Sequence, residues 1–284
     1  MRNALFILLQ RIVPQHGLSR LIGKLAECRI SSIKNCLIRQ FIRHFQVDMS
    51  QSQIEDYRQF ENFNAFFTRE LKPEARPICS DKLSIACPAD GNISEIGDIS
   101  LASILQAKGQ SYSLMSLLAG DAELCNTFLG GKFATIYLSP RDYHRVHMPL
   151  DGSLRKMTYV PGKLFSVNQV TADRVPGLFA RNERLICEFD GKHGPFVVIL
   201  VGAMIVAGIE TVWAGQIAPV KPQLFSRHYP DKTRITLKKG DELGRFKLGS
   251  TAILLLPANS ADWNNALANA SPTVMGQSIG QLTP

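Results

Sequence analysis

The stretch GRFKLGSTAILLL, residues 244–256, decides how the second half of the chain is read. A polar turn gives way to an aliphatic run too short for a typical helix, which predicts a buried strand. Gly249 supplies backbone freedom before it, and Ser250-Thr251 is an ordinary way into a strand. Taken alone, the LGST tetrad carries no chemistry. Its meaning depends on what the rest of the chain can bring to Ser250.

Working outward, similar runs recur from Cys87 onward: FATIYLS, RLICEF, FVVILVG and RITL, separated by turns. Asp90-Gly91, Asp151-Gly152 and Asp190-Gly191 are turn signals, strongest as hairpins where strands flank them. The segment 196–209, FVVILVGAMIVAGI, runs 14 residues without a charge. A membrane span needs about 20, and Gly202 and Gly208 among β-branched neighbours favour buried strands. Upstream, Leu18, Leu21, Ile22 and Leu25 recur at helical spacing, as do Ile38, Phe41, Ile42 and Phe45. Residues 50–82 read as helical and then extended, ending in the proline-marked linker LKPEARPIC. The expectation is an α+β fold: N-terminal amphipathic helices over residues 1–82, then an antiparallel β-rich core over 83–284.

Charge is unevenly spread. The net charge is +8, and residues 1–47 hold eight basic side chains against Glu27 alone. These are Arg2, Arg11, Arg20, Lys24, Arg29, Lys34, Arg39 and Arg43. Three readings compete for this segment. It can be a packed helical hairpin with a solvated basic face, an amphipathic surface for anionic lipid, or an Arg-rich presequence. Near an anionic leaflet each Lys or Arg contributes about 1 kcal/mol, so half of the eight suffices for reversible association. Nucleic acid is disfavoured, because the basic residues alternate with aliphatics and lack an aromatic stacking platform. The six cysteines include no CxxC pair, which argues against a zinc site and fits reduced thiols.

Three polar features carry candidate chemistry: CPADG (87–91), YHRVHMPLDG (143–152) and LGST (248–251). They supply an Asp, a pair of His and a Ser, the types needed to activate a weak hydroxyl nucleophile. Blander alternatives stand beside each. Asp90 can be simply the first residue of a turn, and either histidine can belong to a structural network. His144 and His147 would form a metal pair if on a helix, but His16, His44, His193 and His228 show no ligand-like clustering, so no metal is expected.

In combination these stretches resemble the phosphatidylserine decarboxylases, in their bacterial proenzyme form. The likeness runs through LSRLIGKLA, FNAFFTRELKPEARPI, PADG, DYHRVHMPLDG, VPGKLFSVN, RNERLICEFDG, VGAMIVAGIET and KGDELGRFKLGSTAILLLP. Since it includes the first 47 residues, it argues against a removable presequence. Cys87 before PADG and the tail after Pro257 depart from the pattern, and the cysteine leaves open a redox sensitivity near Asp90.

The resemblance implies a core like the barrel-sandwich hybrid of biotinyl and lipoyl domains. It implies a chain that cuts itself between Gly249 and Ser250, with Asp90, His147 and Ser250 as the processing residues. Ser250 would become a covalent pyruvoyl group, the cofactor, with no PLP and no metal. Phosphatidylserine would lose CO2 through a Schiff base on that group, giving phosphatidylethanolamine, and His144 would serve the decarboxylation step. A peripheral enzyme of the cytoplasmic face of the inner membrane is implied, built as a homodimer whose protomers each hold a large and a small chain. The competing class is a Ser-His-Asp hydrolase acting on external substrates, which would keep its serine and an intact chain.

Overall fold

The computed structural model describes residues 2–107, 109–204, 208–218, 223–247 and 250–283, with only the backbone of Arg2, Leu5 and Arg11. Three helices lead: α1 (Arg2–Ile12), α2 (Gln15–Ala26) and α3 (Ser31–Phe45). Residues 50–82 hold less helix than expected, a short α4 (Phe63–Phe67) and two single 3-10 turns. Asn62 caps α4 by accepting the Ala65 N–H, and prolines in the following linker prevent its extension.

The strands that build the core are β1 (Ser84–Ala86), β2 (Gly91–Asp98), β3 (Lys132–Leu138), β4 (Arg145–His147), β5 (Gly152–Val160) and β6 (Arg184–Gly191). They continue with β7 (Gly194–Gly202), β8 (Gly208–Thr211), β9 (Glu242–Lys247), β10 (Ser250–Leu256) and β11 (Ser278–Leu282). The main antiparallel sheet runs β5-β6-β7-β10-β3-β2, with short strands at both edges. A second sheet contains β8-β9-β4, and β1 pairs with β11 in a third. The α+β class stands, and the core is β-rich and antiparallel, without a closed barrel among the described residues.

The long aliphatic runs are explained by burial on both faces of the main sheet. In β10, Ala252, Leu254 and Leu256 join one core cluster, while Ile253 and Leu255 join another. In β7, Val198 and Leu200 face the first cluster and Val197, Ile199 and Val201 the second. The apolar segment at 196–209 therefore forms strand at 196–202 and 208–209, as expected, with a turn after Gly202. Only Asp190-Gly191 marks a hairpin, where Gly191 pairs with Gly194 across Lys192-His193. Asp90-Gly91 and Asp151-Gly152 instead lead into strands.

The two helical stripes have different fates. Ile38 is buried with Phe60, Phe63, Phe66 and Phe67, and Phe41, Ile42 and Phe45 pack against them. Leu21 and Leu25 stay exposed, as do Phe6, Leu8, Leu9 and Ile12 of α1. Ile7 joins a core cluster of the body, and polar residues of these two helices reach it as well. Gln10 Oε1 accepts the Ser166 N–H, and Gln15 Oε1 accepts that of Leu164. Helices α1 and α2 thus dock largely by polar groups and present much of their apolar surface outward.

Candidate active site

Ser250 opens β10 and is wholly buried, its register partners being Leu138 on β3 and Gly202 on β7. Strand alternation turns its side chain to the face of Ala252 and Leu254. That face packs against Val146 and Phe246 of the second sheet. Among the described residues the Ser250 hydroxyl has no hydrogen-bond partner. Leaving a buried hydroxyl unpaired costs about 1–3 kcal/mol. Leu248 and Gly249, the other side of the expected cleavage bond, lie outside the described residues.

The YHRVH segment supplies both histidines, and the fold sends them to different surroundings. His144 is fully buried, stacked on Phe67 with ring centroids 4.0 Å apart. Its Nε2 donates to the Ser139 carbonyl at 3.0 Å, which leaves Nδ1 unprotonated, and Nδ1 has no partner. Ser139 adjoins Leu138, the register partner of Ser250, so His144 is anchored one residue from the serine's neighbour. Burial, then the charge of Arg69, pushes the His144 pKa down to about 3. It is neutral at physiological pH.

His147 ends β4 and pairs in register with Glu242 on β9. Its Nδ1 donates to the Gly240 carbonyl at 2.8 Å, so Nε2 is the unprotonated nitrogen and accepts from the Tyr143 hydroxyl at 3.1 Å. Burial lowers its pKa as well. Between the two histidines Arg145 turns to the linker and the second sheet, donating to Glu70, Glu242 and the Thr68 carbonyl. It pins β4 in place.

Asp90 exchanges no hydrogen bond with His147. Its carboxylate is gripped by Arg76 from the linker and accepts the Met275 N–H at 2.8 Å. The His147 N–H nevertheless donates to the Pro88 carbonyl at 2.8 Å, which ties the two motifs together through the backbone. Gly91 is required where it stands. With φ +152°, a Cβ there would come 2.1 Å from the Tyr137 carbonyl oxygen. The Cys87 thiol is buried, donates to the Ala89 carbonyl, and is pushed up to about 12 by burial. A thiol held protonated in this way is a poor nucleophile.

The fold therefore brings His144 close to Ser250, and His147 into the neighbourhood of Asp90. Arg76, Tyr143, Gly240 and Phe67 were not foreseen as parts of this site. Arg76 and Phe67 lie inside the stretch FNAFFTRELKPEARPI, but no spacing rule links them to Asp90 or His144. Among the described residues there is no cluster of three His, Cys, Asp or Glu able to hold a metal.

A family model described as phosphatidylserine decarboxylase matches residues 63–281, and a second, described as PSD, matches 5–46. Curated proteins named phosphatidylserine decarboxylase proenzyme are similar over nearly the whole chain. That of Pseudomonas aeruginosa strain PAO1 is 58% identical over 280 residues, covering 98% of this chain and 97% of its own. The protein from Stutzerimonas stutzeri is 56% identical, covering 99% and 95%. The one from Azotobacter vinelandii is 55% identical and covers 100% of both. With a buried serine at the head of a central strand and the histidine segment packed beside it, the chain belongs to the phosphatidylserine decarboxylase family.

Proposed function

We propose that this chain converts phosphatidylserine to phosphatidylethanolamine after cutting itself between Gly249 and Ser250. The observation that carries the reading is the Ser250 hydroxyl, buried and unpartnered. Before cleavage, a hydroxyl with no solvent-exposed surface is better placed to attack its own chain than a substrate from outside. The carbonyl carbon it is covalently placed beside is that of Gly249. Geometry thus favours attack on its own chain over the hydrolase alternative.

In this reading the Ser250 hydroxyl loses its proton as its oxygen bonds to the Gly249 carbonyl carbon. The peptide C–N bond breaks and the serine nitrogen gains a proton, leaving an ester. Loss of the serine α-proton and departure of the Gly249 carboxylate then sever the chain. Addition of water and release of ammonia leave a ketone where Ser250 stood. Such a pyruvoyl group supplies a carbonyl for the substrate amine and an electron sink as CO2 departs.

The residues present fit that group: a small buried side chain, histidines on the adjoining segment, and strand pairing on both sides to hold the new terminus. The proton leaving Ser250 goes to His147 in the assignment the family pattern favours. Its Nε2 is unprotonated and is reached through the Tyr143 hydroxyl. Asp90 would then act at longer range, through charge. His144 would take a proton from water at Nδ1 and deliver it to the substrate α-carbon. One specific observation favours a second reading, in which His144 is the base for cleavage. Its Nδ1 and the Ser250 oxygen are both buried without partners, on residues joined through Ser139 and Leu138.

Residues 1–82 would form the membrane-associating unit and 83–284 the catalytic core. Among the described residues no helix is long and apolar enough to cross a membrane. Outward apolar residues on α1 and α2, with Arg20, Lys24, Arg39 and Arg43 exposed around them, support peripheral docking on anionic lipid. The cytoplasmic face of the inner membrane and a homodimer of processed protomers complete the proposal. The deciding experiment is mass spectrometry of the purified protein under denaturing conditions. Fragments of 249 and 35 residues, the smaller lacking a free amine, are expected. An intact chain that releases CO2 from phosphatidylserine would overturn the self-cleavage step.

A further inference from the structure

A polar cavity of about 250 Å³ opens between the helical segment and the core, lined by Asp48, Arg69, Arg76, Asp90, Arg141 and Tyr143 among others. Most of its charges are spoken for. Arg76 grips Asp90, Arg141 lies 3.9 Å from Asp142, and Asp48 accepts from the N–H and hydroxyl of Ser50. Arg69 is the exception. It is only 5% exposed, yet it has no carboxylate within ion-pair distance among the described residues. Its Nη2 donates to the Arg141 carbonyl at 3.3 Å and its guanidinium lies over the Phe66 ring. Its Nε has no partner among the described residues.

Asp90 and Asp142 act on Arg69 only through space, and a buried cation with no direct ion pair is costly. Burial pushes the Arg69 pKa down to about 10, so it still carries its charge at neutral pH. We propose that Arg69, with the cavity it lines, seats the phosphodiester of the phospholipid substrate, a proposal that rests on the decarboxylase reading above. The placement fits. Helix α4 lays Phe67 on the His144 ring, and Arg69 follows two residues later. In phosphatidylserine three bonds separate phosphorus from the serine α-carbon, so an anion seat must lie within a side chain's reach of the reacting group. The substrate carboxylate is the poorer candidate. Its charge disperses as CO2 leaves, and a guanidinium on it would stabilise the ground state against reaction. The phosphate keeps its charge throughout. Its contact is uniform binding, which is felt in KM and not in kcat.

The test starts from the Ser250→Ala chain, which has no pyruvoyl group, titrated calorimetrically with inorganic phosphate and with glycerophosphoserine. Adding Arg69→Gln weakens both affinities, by about 10- to 100-fold for loss of a charge-assisted pair. In the self-processing enzyme, Arg69→Gln raises KM for phosphatidylserine in mixed micelles by a similar factor while kcat holds within about threefold. Inorganic phosphate competes with substrate in the parent and much less in the variant. Arg69→Lys keeps the charge without the fork and gives intermediate values, and it decides the matter if the Gln variant does not fold. Unchanged affinities, or a fall in kcat at unchanged KM, overturn the proposal. Phosphate binding lost on substitution with KM unaltered assigns the cavity to free phosphate and overturns it too. Failure of the parent to release CO2 would sink the decarboxylase reading separately, since the calorimetry does not depend on it.

Discussion

Arg76 holds Asp90 by a fork: Nε donates to Oδ1 at 2.8 Å and Nη2 to Oδ2, while Nη1 donates to Gln51 Oε1 at 2.7 Å. Both side chains are largely buried. Breaking such a pair leaves an uncompensated charge, at a cost of roughly 3–5 kcal/mol. Arg76→Ala is expected to lower stability by about that amount and to slow self-cleavage at least tenfold, by freeing the PADG segment that backs His147. Arg76→Lys should recover part of both. A time course on denaturing gels checks this, and parental cleavage kinetics in Arg76→Ala would show that the fork has no part in processing.

Ser250→Ala is expected to give a folded, full-length, inactive chain, because nucleophile and cofactor precursor are one residue. The check is an intact mass beside a far-ultraviolet spectrum like that of the parent. Cleavage of this variant at the same bond would point to another nucleophile.

His147→Ala and His144→Ala separate the two assignments of the base. If His147 is the base, its variant accumulates uncleaved precursor, while His144→Ala cleaves but decarboxylates at least 100-fold more slowly. The reverse pattern for cleavage assigns the base to His144. Tyr143→Phe, which removes the donor to His147 Nε2, should slow processing only on the first assignment.

Acid should destabilise the protein through His144. Its folded pKa of about 3 lies below the ordinary value of 6.5, so the unfolded chain binds more protons between those limits. Its contribution is full above pH 6.5 and is lost as pH falls toward 3, with a slope of up to about 1.4 kcal/mol per pH unit. His144→Gln should flatten that slope between pH 6.5 and 5 in urea titrations. Identical slopes in the two proteins would mean that the imidazole is not held neutral by burial.

Membrane docking should depend on four side chains. Of the eight basic residues before position 48, Lys34 is buried against the Arg58 carbonyl, and Arg29 pairs with Glu61. Arg20, Lys24, Arg39 and Arg43 are exposed and form no ion pair among the described residues. Replacing them with Gln should remove on the order of 4 kcal/mol of binding to anionic vesicles at low salt. The parent should approach the variant at 1 M salt, where the Debye length is about 3 Å. Co-sedimentation across a salt series measures this, and equal binding at low salt would reduce these residues to a solvated face.

What could be read in advance followed from periodicity and motif. The strands at 196–202 and 250–256 were legible because burial on both faces leaves nothing but aliphatics. The proposal of Ser250, His144 and His147 as site residues came from motifs occurring in order, not from any one of them. Arg76 and Arg69 were hidden, because a linker residue's reach is decided by tertiary docking. The alternation that sends His144 inward and His147 toward Gly240 became visible only with the bounds of β4. The exposure of Leu21 and Leu25 was equally hidden, since helical spacing defines an apolar stripe without saying what covers it.

Strand β10 lies between β3 and β7 and pairs with both along nearly its full length, while β11 closes on β1. On the proposed cut, the strand that follows it is thus woven into the middle of the main sheet. The two pieces would remain one folded unit, because the smaller could not leave without tearing that sheet open.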